Sequence, residues 1–327
     1  MLANLPPTSS TPASLEALAA PHTRAPVIVI FIEEGGGDWH ARRLKDAMER
    51  RGAHVVTSTL RACAFDTRYN SGIDIPGFDG RLPDGVFVRS ISKGALEAIT
   101  LRLGILHALS ASGVRVWNEA RVIERCVDKS TATFLFQKAG LPVPETRTAE
   151  GYAKALAYAE GRMPLVSKPL FGSQGNGVKK VERLEDLPAE DELGGVYYLQ
   201  RYLRAPGQQA FSDWRVFVSG ERIIGSMARQ GAHWITNVHQ GAQPQVADLD
   251  EDARQLALAA VRAVGADYAG VDLIRDCDGR LMLLEINSNP AWKGLQSICE
   301  IDIAVALAED FLNAVTATMA ANGVAVR

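Results

Sequence analysis

Cysteine is scarce in this chain: four residues in 327, Cys63, Cys126, Cys277 and Cys299, with no CxxC pair and no zinc spacing. That scarcity excludes a disulfide framework and a structural zinc site, and it fits reduced thiols in a cytoplasmic protein. Long hydrophobic runs are missing too. No apolar run approaches the length of a bilayer span, so no membrane partner is expected. Basic excess is absent: 35 Lys and Arg stand against 38 Asp and Glu, a net charge of −3. With no basic stripe, nucleic acid is not an expected partner. Residues 1–26, rich in Pro, Ser, Thr and Ala, have neither the basic start nor the apolar core of a signal peptide and read as a mobile tail. Gly35-Gly36-Gly37 does not match G-x-G-x-x-G and no acid ends the strand that follows, which disfavours a dinucleotide dehydrogenase; a plain strand-to-helix turn explains the glycines. No Ser/His/Asp or Cys/His constellation is evident, so no covalent protein intermediate is expected. What remains, 47% hydrophobic and 22% charged, is the composition of a soluble globular enzyme with room for two domains.

The most informative segment present is Leu281-Met-Leu-Leu-Glu-Ile-Asn-Ser-Asn-Pro290, with Val271-Asp-Leu-Ile274 upstream of it. Asp276-Cys-Asp-Gly279 supplies turn chemistry between the two, so they read as a hairpin. Side chains alternate along a strand, which puts Glu285 and Asn287 on one face. Pairing across the turn brings Asp272 near Glu285. Two carboxylates and an amide oxygen would then converge, a hard-oxygen set suited to Mg²⁺ or Mn²⁺. The alternative is a pair of acids solvated at a sheet edge.

Around this hairpin the chain is ordered as an α/β and α+β protein. Val27–Ile32, His54–Ser58, Gly85–Val88 and Val114–Trp117 read as strands, separated by helical patterns over Trp39–Arg51 and Leu96–Ser112. They make an open α/β unit over residues 27–118. His107, within the second helical pattern, is expected to be a core residue. From Ala120 the character changes: a helix over Ala120–Ala139, a Pro-punctuated segment, a small helix over Gly151–Glu160, then strands at Leu165–Pro169, Tyr197–Tyr202, Asp213–Val218 and Arg222–Arg229. A helix over Ala253–Val264 precedes the hairpin, and an amphipathic helix over Asp302–Met319 follows it.

Several residues on this frame carry possible chemistry. Lys168 ends an apolar strand just before Gly172-Ser-Gln-Gly-Asn-Gly177, where glycines let backbone N–H groups approach an anion. The loop is not a Walker A motif, and a hairpin turn alone would also explain its glycines. Lys129 lies in the Ala120–Ala139 pattern. Tyr198–Leu203 could present an edge to an adenine. Asp213 and Arg215 share a strand face, and Arg229 ends the next strand. His233 and His239 have no recognised metal spacing.

The ordered set Asp128-Lys129, Lys168-Pro-Leu-Phe-Gly-Ser-Gln-Gly-Asn-Gly177, Asp213-Trp-Arg215, Thr236-Asn237, Gly270-Val-Asp272 and Leu284-Glu-Ile-Asn287 resembles the ATP-grasp superfamily, in particular its RimK-like α-L-glutamate ligases. The resemblance implies an N-terminal open α/β (pre-ATP-grasp) domain, 27–118, and a two-lobed ATP-grasp fold, 119–327, with a lid subdomain at about 140–204. It implies that Lys129 and Lys168 contact ATP phosphates, under a lid formed by Gly172, Ser173, Gln174, Gly175 and Gly177. Gln200, Arg201, Tyr202 and Leu203 would hold adenine, with Asp213 near the nucleotide. Asp272, Glu285 and Asn287 would bind two Mg²⁺ or Mn²⁺ ions, and Arg215, Arg229 and Asn237 would serve the reacting carboxylate. The implied reaction joins a carboxylate to the amine of L-glutamate through an acyl phosphate, and the implied assembly is a homo-oligomer.

The chain departs from the family pattern in two places. Gln200-Arg201-Tyr202 replaces the usual Gln-Glu-Tyr, and Ile235 replaces an arginine. Trp292 and Lys293 are candidates for acceptor recognition. The alternatives are an ATP-grasp ligase of other specificity and a catalytically silent ATP-binding regulator.

Overall fold

The structure, a computed structural model, describes residues 24–35, 37–172, 175–204, 211–231, 233–236 and 241–323. The tail expected at 1–26 therefore lies outside it except for its last three residues.

The first sheet is parallel, in the order β2-β1-β5-β6. Its strands are β1 (Val27–Phe31), β2 (His54–Ser58), β5 (Gly85–Val88) and β6 (Arg115–Trp117), with a small ribbon of β3 (Ala64–Phe65) and β4 (Ile73–Asp74) outside it. β1 is apolar throughout because both of its faces are covered. Ile28 and Ile30 pack with Leu44 of α1 (Trp39–Glu49) and with the C-terminal helix α8 (Ile303–Ala321). Val29 and Phe31 pack with Ile105 and Leu109 of α2 (Leu96–Ala111). Helix α8 is long and apolar enough to cross a membrane by length and composition, contrary to the reading that no run approaches that length. Its Ile303, Leu307, Phe311 and Val315 are fully buried in the core shared by the first and third sheets, which accounts for its hydropathy.

Two further helices, α3 (Ala120–Val127) and α4 (Lys129–Lys138), stand where a single helix is expected. The break is chemical. The Asp128 carboxylate accepts from Ser130 N at 2.8 Å and Thr131 N at 3.2 Å, capping α4 and ending α3. Asp128→Ala is expected to lower the unfolding free energy by about 1 kcal/mol, read as a shifted denaturant midpoint at unchanged slope.

The second sheet is antiparallel, β7-β10-β8-β9, from β7 (Thr146–Glu150), β8 (Leu165–Lys168), β9 (Lys179–Val181) and β10 (Val196–Arg201), with α5 (Tyr152–Ala159) on its own small core. The third is also antiparallel, β13-β12-β11-β14-β15. It is made of β11 (Phe211–Ser219), β12 (Arg222–Gly231), β13 (Gln243–Val246), β14 (Tyr268–Arg275) and β15 (Leu281–Asn287). Between β13 and β14 runs α6 (Glu251–Val264), and α7 (Lys293–Gln296) follows β15. Val216 and Val218 of β11, with Val271 and Leu273 of β14, pack on α6. The period of two then turns Asp213, Arg215 and Asp272 to the other face.

His107 is not a core residue. It lies on the exposed side of α2, with Nε2 at 3.0 Å from Glu124. A helix that is apolar along most of its length still has an outward stripe, and His107 is on it.

Candidate active site

A cavity of about 750 Å³ opens between the second and third sheets. Sheet register builds its floor. Asp213 lies opposite Arg229 in the β11–β12 pairing, Arg215 opposite Asp272 in β11–β14, and Asp272 opposite Glu285 in β14–β15. Four charges thus alternate in one row. Arg229 donates from Nε to Asp213 at 2.7 Å and from Nη2 to both Asp213 and Asp272, the latter at 3.0 Å. Arg215 closes a two-pronged bond on Asp272 from Nε and Nη2. All four side chains are buried or nearly so. Burial alone would raise the Asp272 carboxyl, but the guanidinium groups of Arg215 and Arg229 outweigh it and hold it below the ordinary carboxylate range. Burial likewise works against the charge on Arg229, and Asp213 and Asp272 override it, so this guanidinium stays ionised.

Glu285 and Asn287 complete the floor. Neither side chain has a hydrogen bond or ion pair among the described residues, and both line the cavity.

The opposite wall comes from the second sheet. Lys168 donates to Gln200 Oε1 at 2.8 Å, and Gln200 in turn donates to Thr146 Oγ1 and Tyr198 Oη. Burial lowers the Lys168 pKa, Glu285 opposes that, and Lys129 adds to it. Lys129 donates to Gly172 O at 3.1 Å and Leu170 O at 3.4 Å, pinning the start of the β8–β9 loop. At Gly177, with φ of +72°, an added Cβ would lie 2.8 Å from Pro169 Cγ, so the loop's exit demands glycine.

The edge reading of Tyr198–Leu203 is corrected. β10 is an inner strand, paired with β7 on one side and β8 on the other, so the backbone of Gln200 is spent on sheet bonds. Arg201 N is taken by Glu145 O and Tyr202 N by Pro164 O. Beyond the strand, Tyr202 O and both backbone groups of Leu203 have no hydrogen bond among the described residues, and all four hinge residues line the cavity. Trp292 is corrected too. It is fully buried against Trp39 and His40, ring centroids 4.9 and 4.8 Å away, and cannot touch an acceptor; Lys293 beside it does line the cavity. Ser173, Gln174, Asn237 and His239 lie outside the described residues. Asn118 and Asn289 escape a sequence reading. Asn118 donates from its amide to Tyr268 O and Ser288 O, tying the end of β6 to both ends of the metal-type hairpin, and no single-sequence signal marks it.

Residues 126–311 match the RimK-like ATP-grasp domain. The chain belongs to that family. The tetrahydromethanopterin:alpha-L-glutamate ligase of Methanococcus maripaludis is 32% identical over 290 residues, covering 84% of this chain and 95% of that protein. A protein of Alkalilimnicola ehrlichii named as a probable alpha-L-glutamate ligase is 32% identical, with 84% and 92% covered. In fold, the ATP-grasp ligase PsnB, solved with a minimal precursor, Mg and ADP, superposes with a TM-score of 0.67 at 19% identity over 89% of this chain and 98% of that one. As a RimK-like ATP-grasp protein the chain is an ATP-dependent carboxylate–amine ligase.

The floor of the cavity is where a divalent cation would accompany ATP, and its donors can be compared with what Mg²⁺ takes. Among the described residues no cluster of three or more His, Cys, Asp or Glu side chains could hold an ion. The candidates are two carboxylates and one amide. That set fits Mg²⁺, which takes one or two carboxylates and completes its shell with phosphate oxygens and water. Glu285 and Asn287 are free to serve, whereas Asp272 would share its oxygens with two arginines.

Proposed function

We propose that this ligase adds L-glutamate, through its amino group, to the carboxylate of a pterin-type coenzyme or glutamyl chain, by way of an acyl phosphate. The names and full-length coverage of the relatives support the substrates. The observation that carries the chemistry is the pairing of a charge-neutral Asp/Arg row with two oxygen donors, Glu285 and Asn287, that have no partner among the described residues, in a cavity that Lys129 and Lys168 also reach.

In this reading Lys129 and Lys168 bind the phosphates. The second sheet, with its loop at 169–178 (Gly172, Ser173, Gln174, Gly175 and Gly177 included), closes as a lid that keeps water from the acyl phosphate. The adenine lies along Gln200–Leu203, its polar edge on Leu203, with Asp213 beneath the nucleotide. Asp272, Glu285 and Asn287 would hold two Mg²⁺ or Mn²⁺ ions, which when bound neutralise the phosphate chain and the developing charge. Arg215 and Asn237 orient the carboxylate as it attacks the γ-phosphorus. Arg229, only 4% exposed and shared between two acids, acts through Asp213 and Asp272. The glutamate amine then displaces phosphate, and the protein supplies position and fixed charge rather than a nucleophile. Lys293 at the rim takes an anionic group of the acceptor.

The test is ADP release with Mg-ATP, L-glutamate and a panel of tetrahydromethanopterin, glutamyl peptides and amino-carrier peptides, followed by mass spectrometry. A glutamate-dependent signal and a product heavier by one glutamyl unit are expected. ATP binding with no turnover across the panel would overturn the proposal.

A further inference from the structure

The rim of the cavity, Asn289 to Lys293, meets the N-terminal unit (residues 27–118) at three points. Tyr268 Oη lies 2.8 Å from the Asn289 side-chain amide and 3.0 Å from Val88 O, with a single proton to donate to one of them. Arg89 Nη1 donates to Pro290 O at 3.3 Å. Trp292 N donates to His40 Nε2 at 3.2 Å.

The third bond selects a tautomer. His40 Nδ1 lies 3.0 Å from Asp38 Oδ1, and the same oxygen accepts from His40 N at 2.9 Å as the N-cap of α1. A carboxylate only accepts, so Nδ1 carries the ring proton and Nε2 is left as the acceptor that the Trp292 N–H requires. Asp38 is held as a carboxylate: burial would raise its pKa, but the His40 bond and Arg89, 3.6 Å away, bring it down to about 2. Trp292 then sits sealed between Trp39 and His40, and the next residue, Lys293, reaches the cavity with no carboxylate partner among the described residues.

We infer that His40, oriented by Asp38, is a positioning residue that fixes the rim through Trp292 and so aims Lys293 at an anionic acceptor. The aim at an acceptor rests on the function proposed above; the clamp itself does not. His40 touches no reacting atom, so its loss should misplace one substrate and spare the other.

The experiment compares the full chain with His40→Ala, His40→Gln and Lys293→Gln. Gln places Oε1 as many bonds from Cβ as Nε2, so it can accept from Trp292 N, whereas Ala cannot. Amide hydrogen exchange is followed over residues 288–297, and KM is measured separately for Mg-ATP and for tetrahydromethanopterin with L-glutamate. His40→Ala should speed exchange of that segment and raise the acceptor KM about tenfold or more with the Mg-ATP KM unchanged. His40→Gln should restore both, and Lys293→Gln should raise the acceptor KM without altering exchange. Unchanged exchange in His40→Ala, a Gln variant no better than Ala, or both KM values rising together would overturn the clamp. Faster exchange with an unmoved acceptor KM would overturn its link to the acceptor. If the wild-type chain forms no product from this pair, the KM comparison uses whichever acceptor of the panel it does extend; silence across the panel defeats the proposed function instead, and exchange with Gln rescue still decides the clamp.

Discussion

Glu285→Gln is expected to stop ADP formation, with kcat down by about a thousandfold or more, while the thermal midpoint stays level or rises slightly. The two halves of this expectation have one cause. Glu285 faces the cavity opposite Asp272 and has no hydrogen bond or ion pair among the described residues. Its charge helps hold the buried Lys168 ionised, and removing a carboxylate from beside Asp272 relieves repulsion in return, so the two effects offset in the folded chain. No hydrogen bond is lost with it among the described residues, so its main use is to something that enters the cavity. Gln keeps the shape and loses the anion, so a fall in turnover with intact folding isolates the charge. Measuring kcat, the Mg²⁺ dependence of ATP binding and the melting temperature of one preparation checks all three. A variant that turns over at near the wild-type rate would remove Glu285 from the metal-binding set.

The legibility of this floor in the sequence was uneven, for physical reasons. Asp272 and Glu285 could be brought near each other because they share one hairpin, but the register set by the turn at Asp276–Gly279 would put Leu284 opposite Asp272; a one-residue bulge between Asp272 and Leu273 puts Glu285 there instead. The Arg215–Asp272 link could not be read that way. β11 and β14 are separated in sequence by β12, β13 and α6, and only tertiary packing sets their register. The inner position of β10 was hidden by its partner. β7 is Thr146-Arg-Thr-Ala-Glu150, polar and with no fully buried residue, without the apolar alternation that marks a strand, so β10 looked like an edge. The split at Asp128 was visible as an Asp followed by Ser130 and Thr131, but a continuous helical pattern on both sides outweighed it. Trp292 misled through its neighbourhood: a tryptophan just past a metal-type motif suggests ligand contact, and the pocket that buries it comes from residues 39 and 40, at the far end of the chain.

The charge row makes the opposite prediction from Glu285. Arg229→Ala is expected to cost about 3–5 kcal/mol of folding stability, because it leaves Asp213 and one side of Asp272 buried without a counter-charge. Among the described residues Asp213 has no second arginine, whereas Asp272 keeps its two-pronged bond from Arg215. The penalty therefore falls mainly on Asp213, and removing that acid as well should return much of it. Asp213→Leu combined with Arg229→Met replaces the ion pair with apolar groups of comparable volume, and its loss is expected to be clearly smaller than that of Arg229→Ala alone. Urea unfolding of the wild type, Asp213→Leu, Arg229→Met and the double variant closes the cycle. Costs that merely add would mean that Arg229 and Asp213 are not coupled in the folded chain. Coupling together with lost turnover in the refolded double variant would mean that the row, costly as it is to bury, is kept because it holds Asp272 in place for catalysis.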